Sequence, residues 1–172
     1  MSKESIPPPV ANVWSELINK LSGRLRIEFE DLKPGLRHVV YLELRNHSLN
    51  PVAVTNQPQI LAELFDSAGK PVITSRFAMS GPIPIPQRAV IPQDAYLGFR
   101  IDMQTIGVPT REQGMALIAV GGISWALRAG EYVLKTTIVF KKEEDAPQNQ
   151  WIGELELPPV EVVVTTEMVA VN

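Results

Sequence analysis

The stretch from Leu127 to Phe140 constrains the fold of this chain more than any other segment. It begins with the turn sequence Leu-Arg-Ala-Gly-Glu-Tyr and continues as Val-Leu-Lys-Thr-Thr-Ile-Val-Phe, which is rich in β-branched residues. Such a turn is typical of a strand that enters a β-sandwich through a corner, where the tyrosine hydroxyl bonds back to nearby backbone. The stretch therefore predicts antiparallel β-structure, and it indicates nothing about chemistry.

Composition sets the size and the broad class of the protein. The chain has 172 residues, of which 45% are hydrophobic, so we expect one domain with a sizeable core. Its formal net charge is -3 and its Lys and Arg residues are scattered, which argues against a nucleic-acid partner. The 15 prolines concentrate in groups between apolar runs, as expected for strands joined by irregular loops.

The chain has no cysteine and no recognisable targeting segment. The lack of cysteine excludes disulfides, thiolate zinc sites, iron–sulfur clusters and cysteine nucleophiles. The first ten residues contain no apolar run that could serve as a signal peptide core. No stretch reaches the roughly 18 apolar residues that a membrane span requires. We therefore expect no membrane span and a cytoplasmic location, unless the sequence was trimmed from an exported precursor.

The N-terminal region is predicted to contain an extended arm and one short helix. Consecutive prolines at positions 7 to 9 make the arm stiff. Apolar residues then recur at helical spacing between a candidate N-cap, Asn12, and a candidate stop, Gly23. These residues are Val13, Trp14, Leu17, Ile18 and Leu21. We accordingly assign residues 1–23 to the arm and an amphipathic helix, and residues 24–172 to a β-sandwich domain.

Beyond the arm, apolar and polar residues alternate in short segments, which predicts β-strands with one wet face. Such segments recur from residues 24–30 to residues 160–165 and predict about eight or nine strands. The apolar run before Gly121 and Gly122 fits a buried strand, but a helix starting at Thr110 is an alternative. The sequence therefore does not decide whether residues 110–122 form a strand or a helix.

Prolines mark the places where strands should be weakest. Four prolines in residues 81–92 exclude a central strand there and predict a long connection or a pleat along an edge. The pair Pro158 and Pro159 is expected to interrupt the last strand region in the same way.

The corner sequence carries a resemblance to a known family. Leu127, Gly130 and Tyr132, followed by Val133 and Leu134, resemble the corner of fibronectin type III-like and related immunoglobulin-like domains. The resemblance covers about fourteen positions, and the remaining chain agrees with the family only in the spacing of its predicted strands. It implies an all-β, immunoglobulin-like Greek-key β-sandwich with one short N-terminal helix. It implies no activity, because such folds host unrelated functions.

Candidate chemical groups are sparse. We interpret His38 and His47 as surface or loop residues, because their odd separation and the lack of further ligands argue against a metal site. Glu28 with Glu30 and Glu154 with Glu156 have the alternate spacing that paired catalytic acids could use. A solvent-facing strand requires the same spacing, and this second interpretation is favoured.

Two further patterns are weak signals. The acidic run at residues 143–145 could hold calcium, although oxygen ligands are too common to indicate a site. The tripeptide Asn46-His47-Ser48 matches an N-glycosylation sequon. With no nucleophile elbow and no phosphate loop either, we predict no catalytic residue, no metal and no cofactor.

The sequence favours a non-catalytic module that binds a protein partner, or a second copy of itself, through an edge strand or loops. Its candidate contact residues are Trp14, Leu17, Ile18, Pro84 and Ile85. A carbohydrate-binding module is the alternative, and an enzyme of unrecognised type is a third.

The carbohydrate alternative depends on exposed aromatic rings. The candidates are Tyr41, Tyr96, Trp125 and Trp151. Trp151 is in phase with Leu155 and Leu157, so we expect it to face the core, and Trp125 could be buried as well.

Overall fold

The computed structural model describes residues 13–32, 35–75, 87–105 and 114–170, which are mostly antiparallel β-strands. The strands in the described residues are β1 Leu21–Leu32, β2 Gly35–Asn46, β3 Val52–Thr55, β4 Gln59–Asp66, β5 Arg88–Ile91, β6 Tyr96–Thr105, β7 Ala116–Val120, β8 Ile123–Leu127, β9 Gly130–Phe140 and β10 Gly153–Val164. A short helix, α1 Thr166–Val169, follows them. The all-β class is therefore confirmed. No helix among the described residues is both long and apolar enough to cross a bilayer.

The strands form two three-stranded sheets and two smaller ribbons. The first sheet has the order β1-β2-β6, and the second sheet has the order β10-β9-β4. Strands β3 and β5 form one ribbon, and β7 and β8 form the other. Within the proline-rich region, Arg88–Ile91 form β5, while residues 81–86 lie outside the described residues.

The predicted alternation places apolar residues of both sheets in one core. Leu25, Leu42 and Leu44 of the first sheet and Ile138 and Leu155 of the second belong to the same buried cluster. Each fully buried side chain of this size contributes about 1.5–3 kcal/mol to folding. The core is therefore the main source of stability, and it joins the two sheets.

Two tryptophans complete the core, as the phase of Trp151 with Leu155 and Leu157 predicts for one of them. Trp125 of β8 and Trp151 just before β10 are both buried. The Trp151 ring meets Phe140 edge to face, with 5.4 Å between ring centroids. Its indole Nε1 donates a hydrogen bond to the Asn19 carbonyl at 3.3 Å, which satisfies the polar end of the side chain.

The predicted N-terminal helix is wrong for residues 13–20, which contain no helix. Asn19 and Lys20 instead adopt positive φ values of 47° and 65°, and the chain reverses between Ile18 and Leu21. Two successive left-handed residues form the tight turn that joins antiparallel segments. The apolar spacing suited a helix, but the turn at these two residues favours a hairpin that buries Leu21 completely.

The interruption predicted at Pro158 and Pro159 takes the form of an irregularity within one strand. Strand β10 continues through Pro158 and Pro159, with a register shift between Leu157 and Val160 relative to β9. Such a bulge leaves residues outside the hydrogen-bonded ladder, where proline costs no donor.

The second half of residues 110–122 forms a strand and not a helix. Ala116–Val120 is a fully buried strand, whereas residues 110–113 lie outside the described residues. Gly121 and Gly122 have φ values of 60° and 83° and turn the chain directly into β8, a strand that the sequence did not reveal. Two left-handed residues are typical of two-residue hairpin turns.

This turn packs tightly against the second sheet. A Cβ atom added at Gly121 would lie 2.5 Å from the Cβ of Ile60, whereas one added at Gly122 would meet nothing within 4 Å. We expect Gly122→Ala to cost about 1 kcal/mol through backbone strain alone. Gly121→Ala should cost about 2–4 kcal/mol, because the clash adds to the strain. Urea unfolding measures both, and equal losses would contradict the packing of this turn on β4.

The hydrogen bond that the corner sequence predicts is present. The Tyr132 hydroxyl donates to the Arg128 carbonyl at 3.0 Å, four residues upstream. Because this bond is solvent-exposed, we expect Tyr132→Phe to lower the free energy of unfolding by about 0.5–1 kcal/mol. Chemical unfolding monitored by tryptophan fluorescence checks this value. An unchanged midpoint would show that the corner does not stabilise the fold.

Candidate functional site

Residues 13–18, here called the N-terminal segment, run along the edge of β1 and are held there. The Ser15 amide donates to the Gly23 carbonyl at 2.8 Å, and the Gly23 amide donates to Ser15 Oγ at 2.9 Å. Ile18 and Leu21 exchange two further backbone bonds of 2.9 Å. The segment therefore has a defined position on the first sheet.

Three apolar side chains of this segment point into solvent. Val13 is 57% exposed, Leu17 is 55% exposed and Ile18 is 38% exposed. Trp14, between them, is half-buried, with the guanidinium of Arg24 at 4.6 Å from its ring centroid. The predicted contact residues Trp14, Leu17 and Ile18 thus lie on one ordered, extended segment. Pro84 and Ile85 lie outside the described residues.

A groove of about 630 Å³ separates the N-terminal segment from the second sheet. Its lining residues are Trp14, Ser15, Glu16, Ile18, Thr137, Glu154, Glu156, Leu157 and Pro158. Tryptophan, isoleucine, leucine and proline supply apolar surface, and three glutamates supply negative charge. We call this the N-terminal groove.

The paired acids Glu154 and Glu156 lie on the exposed side of β10. In the ladder with β9 they stand opposite Val139 and Thr137, while Leu155 between them is fully buried. The favoured interpretation of their spacing, a solvent-facing strand, is therefore confirmed. The exposed pair forms part of the groove wall.

A charge cluster that the sequence analysis missed adjoins the groove. Glu43 of β2 is 6% exposed although it lies on the outer face of the first sheet. Arg24 Nε donates to one of its carboxylate oxygens at 2.6 Å, and Arg26 Nε donates to the other at 3.0 Å. Gly98 on β6 leaves the room that Glu43 occupies, because a Cβ there would lie 3.3 Å from the Glu43 Cγ.

The two arginines extend this cluster to aromatic rings. The Arg26 guanidinium lies 4.4 Å from the ring centroid of Tyr41, and Arg24 covers Trp14. Cation–π contacts of this kind contribute about 0.5–1 kcal/mol at partly exposed sites. The position of Trp14 beside the groove thus depends on Arg24, which in turn is held by Glu43.

Opposing effects act on the pKa of Glu43. Burial acts to raise the pKa, but hydrogen bonds from Arg24 and Arg26 and their positive charges outweigh it, so the pKa lies below its ordinary value of 4.5. The unfolded chain therefore takes up a proton before the folded chain does as the pH falls. The resulting stabilisation is complete above about pH 4.5 and is lost as the pH drops through the depressed pKa.

We expect Glu43→Gln to lower the free energy of unfolding by about 1–3 kcal/mol at neutral pH, because two arginines lose a charged acceptor. The difference from the unaltered protein should shrink as the pH falls below about 4.5. Urea unfolding at several pH values checks both statements. Glu161→Gln, on the exposed side of β10, is the control and should change stability by less than about 0.5 kcal/mol. A difference for Glu43→Gln that does not vary with pH would contradict this account.

The histidines do not form a site together. His38 is fully buried, so its assignment to the surface or a loop is wrong: it is in phase with Val40 and Leu42 on the core side of β2. Its Nε2 lies 3.0 Å from both the amide nitrogen and the carbonyl oxygen of Ala119, which links β2 to β7. His47 is exposed, as expected.

His47 makes a contact that resembles catalytic chemistry. Its Nε2 lies 2.8 Å from Ser22 Oγ, a pairing that nucleophilic catalysis can use. Ser22 is only 2% exposed, however, so its hydroxyl is closed to a substrate. Across the part of the chain that the structure describes, no cluster of three or more histidines and acids is placed to hold a metal ion.

The asparagine of the candidate glycosylation sequon is inaccessible to solvent in the folded chain. Asn46 is fully buried, and its Nδ2 donates to the carbonyls of Asn50, Ile91 and Pro92 at 2.8–3.1 Å. Its Oδ1 accepts a bond from the Ser48 amide at 2.8 Å. Asn46 is therefore a structural residue that joins the end of β2 to the end of β5.

A second groove, of about 470 Å³, contains the acidic run that is the candidate calcium loop. It is lined by Thr55, Gln87, Arg88 and residues 143–145. Glu143 accepts a hydrogen bond from Arg88 Nε at 2.7 Å, which holds the pKa of this glutamate below its ordinary value. Its charge is thus already engaged by an arginine.

The four aromatic candidates for sugar binding do not form a platform. Of the four candidates for sugar binding, Trp125 and Trp151 are buried and Tyr41 is covered by Arg26. Tyr96 on β6 is 68% exposed. A single exposed ring offers little of the stacking surface that a carbohydrate site requires.

No model of a known protein family matches the chain, and no curated protein matches it in sequence.

Proposed function

We propose that this protein is a non-catalytic interaction module that binds a partner protein through the N-terminal segment and the N-terminal groove. The observation that carries the proposal is the exposure of Val13, Leu17 and Ile18 on a segment that hydrogen bonds hold against β1. Exposed apolar groups on a segment that is already ordered are suited to binding, because little conformational entropy is lost on association.

The proposal includes a finer architecture, an immunoglobulin-like Greek-key β-sandwich. Two three-stranded sheets that share one core and the Tyr132–Arg128 corner bond support it. In such an arrangement the N-terminal segment extends one edge of the first sheet. The partner then meets a rigid edge rather than a loose arm.

We expect Leu17→Asp to weaken partner binding by at least about tenfold, as for a residue at the centre of an interface. Because Leu17 is 55% exposed, the same change should alter stability by less than about 0.5 kcal/mol. The matched control is Leu49→Asp, since Leu49 is 77% exposed in the turn after β2. It should leave partner binding unchanged.

The partner is obtained by photo-crosslinking in native cells, with a photoreactive amino acid at position 17 or, as control, at position 49. A protein captured from position 17 alone is then purified and titrated against the variants. Capture of a second copy of the chain would identify self-association, which sedimentation checks. Equal binding by Leu17→Asp and the unaltered protein would contradict the proposal.

A further inference from the structure

The chemistry of the N-terminal groove restricts what can occupy it. Its apolar surface comes from Trp14, Ile18, Leu157 and Pro158, and its charged residues are Glu16, Glu154 and Glu156. Among the lining residues that the structure describes, none is a lysine or an arginine. An occupant that complements this lining carries positive charge together with apolar groups.

The strand geometry of β10 fixes the distance between two acidic residues of the groove. Glu154 and Glu156 lie on one side of the regular part of the strand, before the bulge. Residues two apart in a strand are separated by roughly 6.6–6.8 Å. An extended polypeptide with basic residues at alternate positions has the same repeat, whereas a helix directs residues two apart to different sides.

The apolar side chains between the basic residues of such a polypeptide also have a complementary surface in the groove. In an extended chain the side chains alternate between two faces. When the basic side chains face Glu154 and Glu156, those between them point the other way. Apolar lining residues that β10 does not supply, Trp14 and Ile18, come from the N-terminal segment. The groove is lined by the N-terminal segment and by β9 and β10, so both sets of side chains have neighbours.

We infer that the N-terminal groove binds an extended segment of the partner protein in which lysine or arginine alternates with apolar residues. This inference rests on the proposed function and names the chemistry of the partner. Charges at the rim of an interface act mainly on specificity and on the rate of association, and salt screens them. Binding should therefore weaken as the ionic strength rises.

The test uses the whole chain and three fluorescently labelled peptides of equal length. The first is Ser-Lys-Val-Lys-Val-Lys-Ser, the second has glutamate in place of lysine, and the third, Ser-Val-Lys-Lys-Lys-Val-Ser, has contiguous lysines. Fluorescence anisotropy at roughly 50 mM salt gives the affinities, because weak charge pairs are least screened there. We expect the alternating lysine peptide to bind at least about tenfold more tightly than the glutamate peptide and more tightly than the contiguous one.

The variants locate this preference in the groove. Glu154→Lys with Glu156→Lys should remove the preference for the lysine peptide or reverse it. Glu161→Lys is the matched control, because Glu161 is exposed on the same strand beyond the bulge, and it should keep the preference. Circular dichroism and thermal unfolding verify that each variant is folded.

The outcomes separate this inference from the proposed function. If no peptide binds, or if the double variant keeps the preference, the inference is overturned. If the double variant loses the preference while Glu161→Lys keeps it, the inference is supported. If Leu17→Asp weakens partner binding but Glu154→Lys with Glu156→Lys does not, the proposed function is retained. The inference that the partner contributes a basic segment is then rejected. Partner binding that is insensitive to Leu17→Asp would reject the proposed function itself.

Discussion

The antiparallel pairing of β1 with β2 fixes which side chains face one another in the first sheet. Leu32 stands opposite Gly35, and this register places Leu25 opposite Leu42 and Arg24 opposite Glu43. A slip of one residue would move the leucines to the solvent face and separate the charges. The core of the first sheet and the charge cluster on its outer face therefore depend on the same alignment.

The same alignment determines where the N-terminal groove forms. Gly23 lies at the open edge of β1, where it exchanges bonds with Ser15. A side chain at Gly23 would meet Leu157 at 2.9 Å, so glycine allows the first sheet to approach β10 closely. Trp14 is then held between Arg24 and the groove. Sheet packing, electrostatics and the candidate binding surface are thus coupled at one edge.

Much of the fold was predictable because strand alternation is a local property. It indicated most strands, and it could also have placed His38 in the core, since His38 continues the buried phase of β2. The helix prediction failed because the spacing around Leu17 does not reveal a left-handed turn at Asn19 and Lys20. The groove combines side chains about 140 residues apart in sequence, and such contacts follow from sheet packing that no local pattern contains. The Glu43 cluster could also have been predicted, because antiparallel pairing of the two consecutive strands β1 and β2 brings Arg24 opposite Glu43.

The double proline in β10 limits how another chain can engage this edge. In the described part of the chain β10 pairs with β9 alone, so its other edge is a potential template for further strands. Pro158 and Pro159 have no amide hydrogen to offer, and the bulge bends the strand where they lie. A chain arriving here cannot extend the backbone ladder across that point, and indiscriminate sheet growth between molecules is suppressed. A chain that binds beside this edge would be recognised through side chains, which can discriminate between sequences where main-chain pairing cannot.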